Sequence, residues 1–438
     1  MDNKKNIEFS FLDTGMVSSV LMHEALQTRG LLEYLQSISA VRSDWYATPY
    51  ASFALPYDQQ LLSDVQQVVT EKQKHAPTML IVIGIGGSAL GAQAIYQAIK
   101  GSFFHMTEHM PMVYFLQTID SDHVATLLTI IEQECKKNNT VLINVITKSG
   151  TTVETIVNFE VVIALLKKYR PHDYHELVVV TSDTNSPLHT YALEHKYAFL
   201  SIPKNVGGRF SVFSTVGLFP LLMAGIDVEQ LLTGARAALE FCLAQDGDQN
   251  YAVQSALLLY LHYRQGVTIH DLFLFSVDLE TVGKWYRQLM GESIGKEFDV
   301  RGNRVYTGIT PTVSLGTIDL HSVAQLYLGG PRDKYTTFVA VESGSDDIAV
   351  TSADLSGLGS KKLSSIMRAF LQGTQRAYQN NSRPFSTLIL PEKNEYYLGQ
   401  CMQYKMVEMV LLAYLLEVDP FDQPNVDSYK AEVKKLLF

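Results

Sequence analysis

Glu292, in the stretch LMGESIGK (289–296), is the residue of this sequence best placed to move a proton. It stands between Gly291 and Gly295, beside Ser293, and it follows the amphipathic run Asp278–Met290. Taken alone, it reads equally well as an ordinary acid near a helix end. Its interest comes from five other stretches whose residue types could bind an anion and stabilise developing charge.

The first is VIGIGGSALG (82–91), an apolar run entering Gly84, Gly86, Gly87 and Ser88 ahead of a helical pattern. Glycines let backbone approach a ligand closely, and the amino end of a helix offers unpaired amides to an anion. A tight strand–helix turn is the alternative. The glycines are too close together for GxGxxG, and the Walker spacing also fails. The second is VITKSGTTVET (145–155), which gathers Thr147, Lys148, Ser149, Thr151 and Thr152 around one turn before Glu154. Hydroxyls with helix-end amides suit a phosphate monoester; a helix cap ahead of Glu154 is the competing reading. Both turns fall at the carboxyl ends of expected parallel strands, where ligands of α/β sheets bind.

The third, GGRFSVFSTVG (207–217), aims Arg209 after two glycines. A structural arginine paired with a nearby acid explains it as well. The fourth and fifth stretches are DLHSVAQL (319–326), with His321, and PFDQPNVDSYK (420–430), with Gln423 and Lys430. The other histidines read as structural, and Lys430 by itself reads as a solvated helix residue.

The elements that must carry these residues follow from periodicity. Residues 1–75 read as helical, with Leu21–Leu35 and Asp58–Lys72 amphipathic. Short apolar runs then alternate with helical ones: 79–85, 112–117, 141–147, 177–182 and 197–202. Near-continuous buried strands separated by helices predict a parallel sheet covered on both faces. After helical residues 212–264 the pattern resumes with 271–276, 305–309, 336–341 and 385–390, then a strongly apolar helix over Tyr396–Leu416 and a final helix. The expected organisation is a helical segment (1–75), two α/β domains (76–226 and 227–395) and a helical C-terminal segment (396–438).

With 438 residues, two domains are the default. The formal charge of −10 argues against a nucleic-acid surface, though not against a locally positive pocket. Cys135, Cys242 and Cys401 are far apart and show no metal-ligand spacing, so no zinc site or disulfide framework is expected. The start of the chain has no apolar signal core, and the run Met409–Val418 is too short to cross a bilayer. A cytoplasmic protein is expected.

In their order and wording, GIGGS, TKSGTTVET, GGRFS, GESIGK, DLHS and FDQPNVDSYK resemble the phosphoglucose isomerase family, most closely its shorter bacterial branch, over roughly residues 75–430. The resemblance implies two sugar isomerase (SIS) domains, each with a five-stranded parallel sheet. It also implies a homodimer with shared active sites, and neither metal nor cofactor. The implied reaction is interconversion of glucose 6-phosphate and fructose 6-phosphate, in glycolysis and gluconeogenesis. Glu292 matches the proton-transferring base and Arg209 the cation facing the enediolate. His321, contributed by the partner subunit, and Lys430 match the ring-opening pair, and Glu154 matches the acid that orients the histidine. Gly87, Ser88, Thr147, Lys148 (through its amide), Ser149 and Thr152 would hold the phosphate, with Gln288 and Gln423 lining the pocket. Departures are Thr147 for a usual serine, and Asn425 and Asp427 for a usual glycine and glutamate. Two other activities are compatible with these stretches: a bifunctional phosphoglucose/phosphomannose isomerase, and a non-catalytic SIS-domain regulator that binds sugar phosphates. The second needs only the two phosphate loops.

Overall fold

The apolar runs become the strands of two α/β units. The structure, a computed structural model, describes residues 5–101, 103, 111–247, 249–344, 347–352 and 354–437, so the extreme ends of the two terminal segments (1–4 and 438) lie outside the described residues. In chain order the strands are β1 (Glu8–Ser10), β2 (Pro77–Ile83), β3 (Met112–Leu116), β4 (Thr140–Ile146), β5 (Val178–Ser182), β6 (Ala198–Ser201), β7 (Ile269–Leu274), β8 (Lys296–Phe298), β9 (Arg304–Thr307), β10 (Thr310–Leu315), β11 (Lys334–Ser343) and β12 (Phe385–Glu392). Packing divides the chain into a unit spanning Val41–Leu232 and a unit formed by the residues up to Ala40 together with those from Thr233 onward.

In the Val41–Leu232 unit the strand order is β3-β2-β4-β5-β6, and every pairing is parallel. Met79–Ile83 and Val178–Ser182 are buried at consecutive positions, so both faces of the sheet are covered. The two strands whose ends carry the candidate anion loops, β2 and β4, are neighbours, with Leu80 opposite Leu142. The loops after them therefore emerge side by side.

The second unit has the order β1-β12-β11-β7-β10. Four strands are parallel, and β1 adds an antiparallel edge against β12. This departs from the sequence reading in two places. The run 305–309 is not a strand of the main sheet: among the described residues β9 pairs only with β8, in a short hairpin, with Val305 41% and Tyr306 71% exposed. The sheet position belongs to TPTVSL (β10), whose polar residues disguised it. Thr312 and Ser314 donate hydrogen bonds, at 2.6 and 2.9 Å, to the buried carboxylate of Asp271 on β7, so their hydroxyls are satisfied inside the unit. The three-residue β1 is too short to show alternation, and main-chain pairing defines it.

The helices largely follow their periodicity. Leu21–Leu35 is interrupted at Gly30, with φ +64°, into Ser19–Thr28 and Leu31–Ala40. The helix Gln59–Gln73 starts at Asp58, whose carboxylate accepts the Leu61 N–H. The helix Glu395–Leu415 is buried on all sides and carries Lys405 and Glu408 inside the unit. Among the described residues no helix is long and apolar enough to cross a membrane.

Candidate active site

The candidate anion-binding loops belong to one unit. After β2 the chain makes a tight turn over Gly86–Ser88, with Gly86 at φ +56°, before the helix Leu90–Lys100. Gly87 lies against the turn Gly208–Phe210, and a Cβ added there would stand 2.2 Å from the Gly208 carbonyl carbon. Ser211 joins the two turns, its Oγ donating to Gly208 O at 2.7 Å and reaching Gly87 O at 3.3 Å. Arg209, in the middle of the second turn, is only 3% exposed, and its guanidinium lies 5.5 Å from the Phe210 ring centroid. A turn closed by glycine–glycine contact thus fixes the backbone that aims this arginine.

The loop after β4 is held as firmly. Thr147 and Thr152 hydroxyls lie 2.8 Å apart across the turn. Since either can donate, one hydroxyl proton remains to point at a bound oxygen. Ser149 Oγ accepts from Thr151 N (3.3 Å) and from its hydroxyl (3.0 Å). Lys148 donates its ammonium to the carbonyls of Lys204 (2.6 Å) and Val206 (3.0 Å), which engages that charge in loop structure. Ser182 Oγ donates to Thr147 O at 2.7 Å. Nearby, burial raises the carboxyl of Asp183 above the usual range against the pull of Lys148 and Lys204. Thr152 is the amino-terminal cap position of the helix Val153–Tyr169, with Glu154 in the first turn. Ser88, Thr152 and Glu154 are half-buried, and Ser149 is exposed.

In the other unit Glu292 lies within the helix Glu280–Ile294, which runs four residues further than the amphipathic pattern. An acid in a last helical turn opposes the helix dipole by about 0.3–1 kcal/mol, so this position does not favour a carboxylate for stability. Gln288, one turn earlier on the same face, donates Nε2 to Glu292 Oε1 at 3.0 Å. Its Oε1 is buried and has no hydrogen-bond partner among the described residues, which leaves an acceptor for a ligand hydroxyl. His321 closes the turn Ile318–His321 and is exposed. Asp319 holds that turn, accepting the Leu315 N–H and the Ser322 hydroxyl, each at 2.7 Å. Gln423 and Lys430 are exposed, and Lys430 lies on the helix Val426–Leu437, 3.5 Å from Asp427.

The cradle residues and Arg209 are thus gathered in one unit, and Glu292 with Gln288 in the other. A cavity of about 590 Å³, lined by Phe273, Leu320, Phe370 and Tyr378 among others, includes none of these residues and is too apolar for a sugar phosphate.

Residues 59–437 match the phosphoglucose isomerase family. The chain belongs to that family. A glucose-6-phosphate isomerase of Carboxydothermus hydrogenoformans is 34% identical over 399 residues, 88% of this chain and 84% of the relative. Among solved structures, a hypothetical protein of Thermus thermophilus superposes with a TM-score of 0.86 at 31% identity, covering 98% of this chain and 99% of that one. A glucose-6-phosphate isomerase of Chlamydia trachomatis shares the fold, with a TM-score of 0.84 at 21% identity, covering 99% of this chain and 88% of that one. The fold class is therefore that of the phosphoglucose isomerase family, two SIS-type α/β domains with added helices. Within that family's motifs the sequence reading missed supporting residues. Ser211 lies in GGRFS and Lys296 in GESIGK, but neither carries a signal until the tertiary structure shows what it touches.

Proposed function

We propose that this chain interconverts glucose 6-phosphate and fructose 6-phosphate by ring opening and proton transfer through an enediolate. The observation that carries this reading is its 34% identity to a glucose-6-phosphate isomerase across 84% of that relative. The side-chain chemistry is consistent with it. The turns at Gly87–Ser88 and Thr147–Thr152 offer hydroxyls and amides to the phosphate, with the Lys148 ammonium already committed to carbonyls. His321 and Lys430 open the ring: one protonates the ring oxygen while the other takes the anomeric hydroxyl proton. Glu292 then removes the proton from carbon 2 of the aldose and returns it to carbon 1 on the same face. Such base catalysis contributes about 10²–10⁴-fold. Arg209 faces the negative charge that builds on the enediolate oxygens, where loss of one preorganised group costs roughly 3–4 kcal/mol. Gln288 and Gln423 hold sugar hydroxyls.

The working enzyme is a homodimer in which each site takes His321 from the other subunit, oriented by Glu154. Exposure of His321 on a braced turn is compatible with that arrangement.

The test is proton NMR of the purified protein with fructose 6-phosphate in D₂O. Deuterium at carbon 2 of the glucose 6-phosphate formed, abolished by Glu292→Gln, is expected. Mannose 6-phosphate forming at a comparable rate would replace this reading with the bifunctional one. Binding without a new sugar would leave only a regulator.

A further inference from the structure

Lys296, the last residue of GESIGK, is 6% exposed, and a buried ammonium needs partners that repay its lost hydration. It donates to the Asp422 carbonyl at 2.5 Å and to Asp422 Oδ1 at 2.6 Å. One lysine thereby fixes both the backbone and the side chain of the residue immediately before Gln423. The rest of the β8–β9 hairpin grips the same segment. Asn425 Nδ2 donates to Glu297 Oε2 at 3.0 Å, Val300 N to Glu417 O at 2.8 Å, and Arg301 pairs with Glu417.

The segment needs such a grip. The helix Val426–Leu437, which carries Lys430, buries no residue, and Tyr429 and Leu436 are 55% and 87% exposed. Apolar burial therefore does little to set its position. The exposed pair Lys430–Asp427 lies within that helix and does not anchor it. Among these ties, only Lys296 places a buried charge against the segment.

We propose that Lys296 is a positioning residue, locking Asp422 so that Gln423 and Lys430 are presented at the end of the helix that bears Glu292. The proposal rests on the isomerase reading above, and it assigns the β8–β9 hairpin the role of a bracket. The hairpin begins two residues after the Glu292 helix ends, so it carries the register of that helix directly into the closing segment.

The experiment compares Lys296→Met, Asp422→Asn and the double variant in the full chain. Three readouts are taken: steady-state kinetics with fructose 6-phosphate, affinity for inorganic phosphate, and hydrogen–deuterium exchange over 417–437. If the lock operates, each single variant loses about 100-fold in kcat, as for a misplaced catalytic group. The double variant is then no worse than Lys296→Met, which by itself removes both contacts to Asp422. Phosphate affinity stays within about two-fold, because the cradle belongs to the other unit. Exchange over 417–437 speeds up in both variants. Multiplying losses, unchanged exchange, or phosphate affinity falling in step with kcat would each overturn the proposal. Asp422→Asn, at a half-exposed position, keeps the test alive if Lys296→Met does not fold. Wild-type protein without turnover would remove the isomerase reading alone, because the exchange comparison still reports whether Lys296 holds the segment.

Discussion

Gly87 and Gly208 meet backbone to backbone, so closely that a Cβ at position 87 would stand 2.2 Å from Gly208 C and 2.6 Å from Arg209 N. Gly87 of GIGGS is thus required by the packing of the second turn. Gly87→Ala must push the Arg209 turn outward. It is expected to lower kcat by about 100-fold and stability by about 1–3 kcal/mol. Gly373→Ala is the control: that glycine is in a helix with nothing within 4 Å of its missing Cβ, and the change is expected to add about 1 kcal/mol. Kinetics and denaturant midpoints check both.

The Thr147–Thr152 hydroxyl pair makes a finer prediction. Thr147→Ser keeps the 2.8 Å partner and should behave nearly as wild type. Thr147→Val leaves Thr152 without it and weakens the phosphate hold. An expected loss of about 1.5–3 kcal/mol for a hydrogen bond to a charged group means a KM for fructose 6-phosphate raised roughly 10- to 100-fold. Titration with inorganic phosphate should show the same weakening.

Shared sites can be tested by mixing two inactive variants. In a heterodimer of Glu292→Gln and His321→Ala chains, one site receives both lesions and the other neither. Random re-association of equal amounts should restore about a quarter of wild-type activity. Activity staying at zero after verified subunit exchange would mean that each site takes both residues from one chain.

The unit that carries Glu292 should lose stability in mild acid. His270 is buried between Thr337 Oγ1 (2.9 Å) and Tyr286 OH (3.2 Å). Tyr286 donates its proton to Glu408 Oε2 at 3.1 Å, so the phenol accepts from His270 Nδ1–H, and Nε2 accepts from Thr337. Burial, with Lys405 adding repulsion, holds this imidazole well below its ordinary 6.5. The unfolded chain takes up a proton near 6.5 and the folded chain does not. The stability present above that pH is therefore lost as pH falls below it, at up to about 1.4 kcal/mol per pH unit. His262, also lowered by burial, acts in the same direction. Urea midpoints between pH 7 and pH 5 should fall less steeply in His270→Gln.

What the sequence determined by itself was whatever depends on local pattern. The apolar runs that became β2, β4 and β5 are strands whose consecutive positions are buried, as a sheet covered on both faces requires. The loops after β2 and β4 were recognisable because glycines and hydroxyls at a strand–helix junction have few uses. Glu292, Arg209 and His321 were candidates only in the company of the other motifs, since each alone reads as an ordinary structural residue. Tertiary structure decided what depends on satisfaction by distant groups. TPTVSL can serve as a sheet strand because Asp271 accepts from Thr312 and Ser314. VYTGI looks like a core strand, yet Val305 and Tyr306 meet solvent and its hairpin grips the closing segment instead. The residues that brace the site, Ser211 against Gly87 and Lys296 against Asp422, are separated by 124 and 126 positions in the chain. Hydrogen bonds at such separations leave no periodicity in the sequence, because they form only after the fold has brought their ends together.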